Sequence, residues 1–386
     1  MPLLRTLLVV AAVSSSLACR AQRTWVVDAA GGAGVDFTDL PPAFAAVADG
    51  DRVVVRRGTY TPGTLTHAIQ LVGQPGAAMS FRNASPFLVR GIPAGRTCSI
   101  EGFTLTDVPF SQNHLRFENC AGIVAVQSVV VLPATFPALS PAHFSYVSDC
   151  AGVSFHACTL EGGLGALRSR VTASGCTLNG PNAVITAPST LMTTDTEVDL
   201  TLCSVRGLDG TPEFVGSAAA TLVRSRLTAR SGTQMIAGTP LFSGPLPSID
   251  GTFTSDVTVD PSVVLTPAPQ HLVALVVTPL PALTAPRVPI GSTLPLSLAS
   301  PVNDLYAIFA ALPAPPFSML WGEVWLDVPT SVFLATGVQT GGLTTVWLPI
   351  PPNPELEGAA LAFQALSGSA LAGTRLSNPL LYVFRP

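Results

Sequence analysis

The sequence predicts an all-β protein in two parts, a parallel β-solenoid followed by a β-sandwich. Three observations lead there. Short units marked by Cys or Arg recur at steps close to 30 residues, strand-length apolar segments ending on Gly fill the space between them, and past about residue 270 the cysteines stop and Pro-separated strands take over. Composition agrees: of 386 residues 48% are hydrophobic and only 11% charged, with 33 Gly and 36 Pro, where average chains carry about 25% charged residues. Such a chain is turn-rich but too apolar to be disordered. All 19 basic residues are Arg and the formal charge is −4. The absence of lysine excludes Schiff-base chemistry and a P-loop lysine, and a sparsely charged, mildly acidic surface is a poor partner for nucleic acid.

In chain order, residues 1–22 read as a secretory signal peptide: Arg5 supplies the positive start, Leu7 to Val13 the apolar core, and Ser14 to Ala18 or Ala21 the small-residue cleavage region. Ser16-Leu17-Ala18-Cys19 is a weak lipoprotein box, its Leu one position off the usual pattern. No later run is apolar for long enough to span a bilayer. The expected address is therefore outside the cytoplasm, secreted or at the cell envelope. A helix is expected over Leu40 to Ala48, where Ala43, Phe44 and Val47 share a face before Asp49-Gly50-Asp51 stops it. Arg52 to Arg56 then reads as a strand leading into the turn at Gly58-Thr59-Tyr60. The order of these pieces, from Phe37-Thr38-Asp39-Leu40 through Arg52-Val53-Val54-Val55 to Gly58-Thr59-Tyr60, resembles the opening of right-handed parallel β-helix proteins of the pectate-lyase-like superfamily. In that family a short helix caps the end of the coil.

The repeats set the coil. A C-[ST]-[ILV]-x-G unit begins at Cys98, Cys158, Cys176 and Cys203; Asn119-Cys120-Ala121-Gly122 returns as Asp149-Cys150-Ala151-Gly152; and Arg168-Ser169-Arg170-Val171 returns as Arg224-Ser225-Arg226-Leu227. The steps 150 − 120 = 30 and 203 − 176 = 27 are coil-sized, 158 − 98 = 60 is two coils, and 176 − 158 = 18 is a short one. Stacking in register puts Cys158, Cys176 and Cys203 in one column and Cys120 next to Cys150. The column is either one of buried thiols or one of disulfides between coils. No C-x-x-C pair or His at ligand spacing points to a metal.

The domain division expected is a signal peptide at 1–22, the β-helix over 23–265 and a β-sandwich over 266–386, with Pro-rich Leu265 to Pro269 as linker. Strands are expected over Leu272–Val277, Leu294–Leu298, Leu305–Leu312, Glu323–Val328, Thr344–Leu348, Ala360–Ala365 and Leu380–Phe384. The residues Pro354-Glu355-Leu356-Glu357-Gly358, Phe363-Gln364-Ala365 and Leu376-Ser377-Asn378-Pro379-Leu380 resemble a C-terminal module recurrent in secreted proteins of planctomycete-type bacteria.

One group of charges is patterned. Asp195, Glu197 and Asp199 alternate along a strand, which puts them on one face. They lie one coil from Arg168/Arg170 and from Arg224/Arg226, so two outward ladders are expected: Arg168–Asp195–Arg224 and Arg170–Glu197–Arg226. The bland account is a solvated ion-pair ladder. The functional account makes Asp195, Glu197 and Asp199 candidate catalytic carboxylates, with Arg168, Arg170, Arg224 and Arg226 as ligand-binding candidates for an anionic polysaccharide. The family's own motifs are missing. There is no W-x-D-H unit, Arg287-Val288-Pro289 lacks the second Arg that a lyase carries where Ser292 stands, no two Asp are adjacent, and no His precedes Gly. There is also no G-x-S-x-G elbow. The leading expectation is a non-catalytic structural, glycan-binding or adhesive protein. The alternative is a lyase or hydrolase of acidic polysaccharide, and Ca²⁺ enters only under its lyase form.

Overall fold

In the computed structural model the described residues are 23–81, 85–106, 114–132, 145–180, 189–210, 216–240, 246–252, 254–369 and 373–385. The expected signal peptide, residues 1–22, and Cys19 lie outside them. The fold is a parallel β-solenoid followed by antiparallel sheets. Asp39 caps the α-helix Leu40–Ala46, accepting from the Leu40 amide, and Leu40, Ala43 and Phe44 bury against the first coil.

Successive strands then fall in rotation into three parallel sheets of eleven, nine and eight strands. One coil runs from Thr97–Glu101 in the first sheet through Thr104–Thr106 in the second to Leu115–Glu118 in the third. The chain then returns to the first sheet at Ile123–Gln127, with Ile123 opposite Thr97. Alternation decides which side chains face inward: Val171, Val198 and Leu227 stack in one row, all buried in a single core running the length of the coil. Solenoid pairing continues past 265, through Val264–Thr266 and on to Ala274–Val277, which pairs with Asp256–Val259.

The corners explain the repeats. Between the third and first sheets the chain turns on a left-handed residue in coil after coil: Asn119, Asp149, Arg168, Asp195 and Arg224, with φ between 45° and 54°. Asn and Asp tolerate this conformation; for Arg it costs about 1–2 kcal/mol. The next residue is small and hydrogen-bonds along the stack. The Cys150 amide donates to Ser169 Oγ (3.0 Å), Ser169 to Thr196 Oγ1 (3.4 Å), Thr196 to Ser225 Oγ (3.2 Å) and Ser225 to Ser255 Oγ (3.3 Å). A second column rises at the approach to the second sheet, where the Cys158 amide donates to Cys176 Sγ and the Cys203 amide to Thr233 Oγ1, each at 3.4 Å. Each thiol also donates two residues back along its own chain, Cys158 to His156 O and Cys203 to Thr201 O. All six described cysteines are free and buried. Cys98 is the exception to the column: it lies within a first-sheet strand, opposite Val124, so its 60-residue spacing to Cys158 is not two coils of one frame.

Beyond Pro279 one antiparallel sheet comprises Ala282–Thr284, Thr293–Ala299 and Leu343–Pro349. A second is built on Val332–Val338, Leu305–Ala311, Ala360–Ser369, Gly373–Leu376 and Leu380–Val383. Leu283, Leu296, Ile308, Phe363 and Tyr382 from the two sheets share a core, compatible with a sandwich. The expected strand Leu272–Val277 belongs to the solenoid instead. A hairpin, Pro313–Met319 with Gly322–Leu326, projects from this domain.

The domain folds back onto the outer face of the first sheet. Ile123 and Ala125 bury against Trp325, Ala362, Leu381 and Val383. The Gln127 side chain exchanges two hydrogen bonds with the Val383 backbone (2.6 and 2.9 Å), and Arg52 Nη2 donates to Pro354 O and Glu355 O, both at 2.9 Å.

Candidate functional site in the seam

Glu197–Thr201 is a first-sheet strand whose Val198 and Leu200 point into the core, leaving Glu197 and Asp199 on the outer face. Glu197 lies in register between Arg170 and Arg226. Its Oε2 is 3.2 Å from Arg170 Nε, and its Oε1 is 3.4 Å from Arg226 Nη1. Asp199 is held by Arg230 at 2.8 Å; Arg230 also donates to Pro281 O and Leu376 O, and its side chain is only 9% exposed.

The three candidate carboxylates do not converge. Asp195 sits on the left-handed corner, off the strand, in a two-pronged ion pair with Arg224 (2.7 Å for both bonds). The Arg224 hydrogen bond holds the Asp195 carboxyl below its usual range. Arg168 turns to the preceding coil and pairs with Asp149 at 2.6 Å. The expected Arg168–Asp195–Arg224 ladder is thus resolved into two separate pairs, because each corner Arg has an Asp one coil below it. These exposed pairs add little stability.

The inner ladder leads into a cleft. The hairpin of the C-terminal domain places Glu323 beside it, with Glu323 Oε1 2.6 Å from the same Arg170 Nε that binds Glu197. One guanidinium therefore holds two carboxyl groups together. Burial first, and then the neighbouring Glu197, push the Glu323 carboxyl up to about 7, while the hydrogen bond from Glu323, and then Arg170 and Arg226, hold Glu197 low. Of the two, Glu323 holds a proton the more tightly. The cleft above it has a volume of about 220 Å³ and is lined by Glu197, Asp199, Arg226, Trp321, Glu323 and Arg375. Trp321 stands at its edge, 43% exposed.

Glu197 and Asp199 both direct their oxygens at guanidiniums. A Ca²⁺ ion needs six to eight oxygen ligands, so this donor set does not fit one. Among the described residues no group of three or more His, Cys, Asp or Glu is arranged to hold a metal. Sequence reasoning missed Glu323, Arg230, Trp321 and Arg375. The Trp321-Gly322-Glu323-Val324-Trp325 segment announces a turn and a strand, but nothing periodic links it to a ladder 153 residues earlier.

The chain matches no protein-family model and no curated protein sequence.

Proposed function

We propose that the protein is a secreted or envelope-associated β-helix protein of the pectate-lyase-like kind, and that it binds acidic glycan without turning it over, in the cleft between solenoid and C-terminal domain. The observation that carries this is the half-exposed Trp321, which lines with Arg226 and Arg375 a cleft whose Glu197 and Asp199 are already matched to arginines. A tryptophan face takes the apolar C–H face of a sugar ring, and convergent polar groups orient it. Arg226, Arg230 and Arg375 outweigh Glu197 and Asp199 once Glu323 keeps its proton, so the cleft favours a negatively charged sugar. Calorimetric titration with polyuronate oligosaccharides is the test. Binding that falls at least tenfold in Trp321→Ala, with the fold intact, supports the reading; no binding by the unaltered protein reduces it to a structural or protein-adhesive role.

One observation favours the enzyme alternative. Two carboxyl groups whose affinities for protons are driven apart are a usual source of acid and base, and Glu197 with Glu323, both on Arg170, are driven apart in this way. Polyuronates assayed for new unsaturated ends and for reducing sugar, with and without Ca²⁺, decide it. Turnover lost in both Glu323→Gln and Glu197→Gln would establish the enzyme, and silence from the unaltered protein removes it.

A further inference from the structure

The solenoid is closed at one end and open at the other. At the N-terminal end the helix Leu40–Ala46 covers the first coil with Leu40 and Phe44, both buried. At the other end the inward rows run out uncovered. Leu275 continues the row Val171–Val198–Leu227–Val257, and Val277 continues Ala173–Leu200–Ala229–Val259. Every earlier member of both rows is buried, yet Leu275 is 44% and Val277 60% exposed. Val264 and Val273 in the same last coil are exposed as well. Position alone makes the difference: each earlier residue is covered by the coil after it, and among the described residues no strand follows Ala274–Val277.

The open edge is also unguarded. Sheet edges are ordinarily blunted with charge or proline, whereas Leu272 to Thr278 carries neither. Two acids near this end are already engaged: Asp250 with His271 at 2.8 Å, and Asp260 with the Ser262 and Leu280 amides, both at 2.9 Å. A terminal repeat with a polar outer face keeps solenoids apart, and this end presents the opposite.

What fits this end is set by what fits each earlier coil. Every one of them is covered by another coil of the same chain, so the matching end of a second copy offers the same kind of surface. Its N-terminal end is occupied by the helix, which excludes head-to-tail stacking and an open filament. Contact about a two-fold axis remains, with the two Ala274–Val277 strands side by side and antiparallel, a pairing that their free edges permit. We propose that the protein forms a closed dimer through the C-terminal ends of two solenoids, with Leu275 and Val277 buried in the contact.

Sedimentation velocity of the whole chain, with small-angle X-ray scattering on the same samples, tests it. A monomer–dimer equilibrium in the micromolar range is expected, with nothing larger. The eleven strands of the first sheet span about 48 Å at about 4.8 Å per step, so dimerisation should lengthen the particle by about one solenoid while leaving its cross-section unchanged. Val277→Asp and Leu275→Asp should each weaken the dimer at least tenfold. Leu320→Asp, which charges the fully exposed tip of the hairpin, should leave it unchanged. A monomer at every concentration overturns the proposal, as does a dimer that thickens without lengthening, an assembly larger than two, or full-strength association of the folded end variants. Loss of the dimer in Leu320→Asp places the contact on the hairpin and also overturns it. Circular dichroism and urea midpoints separate lost contact from lost fold, and the scattering of the unaltered protein decides without any variant.

Discussion

Glu101 and His156 face the seam two strands apart, each opposite Gln127 in the first sheet, and burial drives them in opposite senses. His156 is 4% exposed, neither ring nitrogen has a partner, and burial, with the charge of Arg287 adding, lowers it from 6.5 to about 4. Glu101 is raised by burial from 4.5 to about 7, against the pull of Arg287. For His156 the fold prefers the neutral ring, so its contribution is complete above pH 6.5 and is lost as pH falls towards 4. For Glu101 the fold prefers the protonated acid, so its contribution is complete below pH 4.5 and is lost as pH rises towards 7. Each shift is roughly 2.5 pH units, or about 3 kcal/mol at about 1.4 kcal/mol per unit. The two slopes occupy nearly the same window and oppose one another, so each should mask the other in the unaltered protein. His156→Gln removes the first, and its stability relative to the unaltered protein should rise by about 3 kcal/mol on acidification from about pH 7 to about pH 4. Glu101→Gln removes the second, and its relative stability should rise by a similar amount on alkalinisation from about pH 4 to about pH 8. Urea unfolding followed by tryptophan fluorescence, with Trp325 buried in the seam as reporter, measures both. Glu323 titrates in every variant and drops out of the differences. Flat difference profiles, or two profiles of the same sign, would refute the assignment of both groups to a buried seam.

Other perturbations address the seam and the columns. A Cβ at Gly152 lies 2.7 Å from Trp325 Cζ3 and 2.8 Å from Ile123 Cδ1. Gly152→Ala should therefore cost about 1–3 kcal/mol through overpacking and shift tryptophan emission to the red; unchanged emission would show that the domain does not dock there. Arg230→Ala leaves Asp199 and two backbone carbonyls without their donor, and should cost about 3–5 kcal/mol in urea unfolding. Arg230→Lys should recover little of it, because an ammonium cannot reproduce the fork. Cys176→Ser should be better tolerated than Cys176→Val, since serine restores the acceptor for the Cys158 amide while valine orphans it at about 1–3 kcal/mol; equal melting of the two variants contradicts the hydrogen-bonded column. Thiol titration in denaturant without reductant should detect all six described cysteines, and any shortfall points to disulfides between coils.

What was legible in the sequence is what the coil period carries. Val171, Val198 and Leu227 can be stacked on paper because a strand fixes facing by alternation and a coil fixes register by its step. The Arg170–Glu197–Arg226 row follows from the same rule. The rule fails where two corners look alike. Cys98 to Gly102 and Cys158 to Gly162 both read as a short strand ending on a left-handed glycine, with φ of +79° and +83°, yet the first strand belongs to the first sheet and the other to the second. Coil length is irregular for a related reason. The passage from the second sheet to the third takes residues 162–163 in one coil and 180–190 in the next, and the inner sheets do not constrain it. Pro313-Ala314-Pro315-Pro316 reads as a breaker. It forms a strand only because its partner is a lone hairpin arm and the ladder skips from Pro313 to Phe317, where missing amides cost nothing.

The carboxylate–arginine ladder reads differently once the second domain is in place. An isolated solenoid would present Glu197 and Asp199 to solvent as half-screened charges with little to do for stability. Docking changes the balance of charge rather than the ladder itself. Arg230 is withdrawn from solvent and divided between Asp199 and two carbonyls, and Arg170 is shared between Glu197 and Glu323. Burial first, and then the neighbouring Glu197, make Glu323 the one of the two that holds a proton more tightly, its carboxyl raised to about 7. That raised affinity for a proton follows from bringing the domains together, whether or not any substrate uses it. It also explains why the same few side chains satisfy a structural and a binding account at once. Arg230, Glu323 and Trp325 belong both to the contact between the domains and to the lining of the cleft, so a ligand seated there would touch both domains. A solenoid lacking this domain would retain the Arg170–Glu197–Arg226 row but would have neither Glu323 nor the tryptophan.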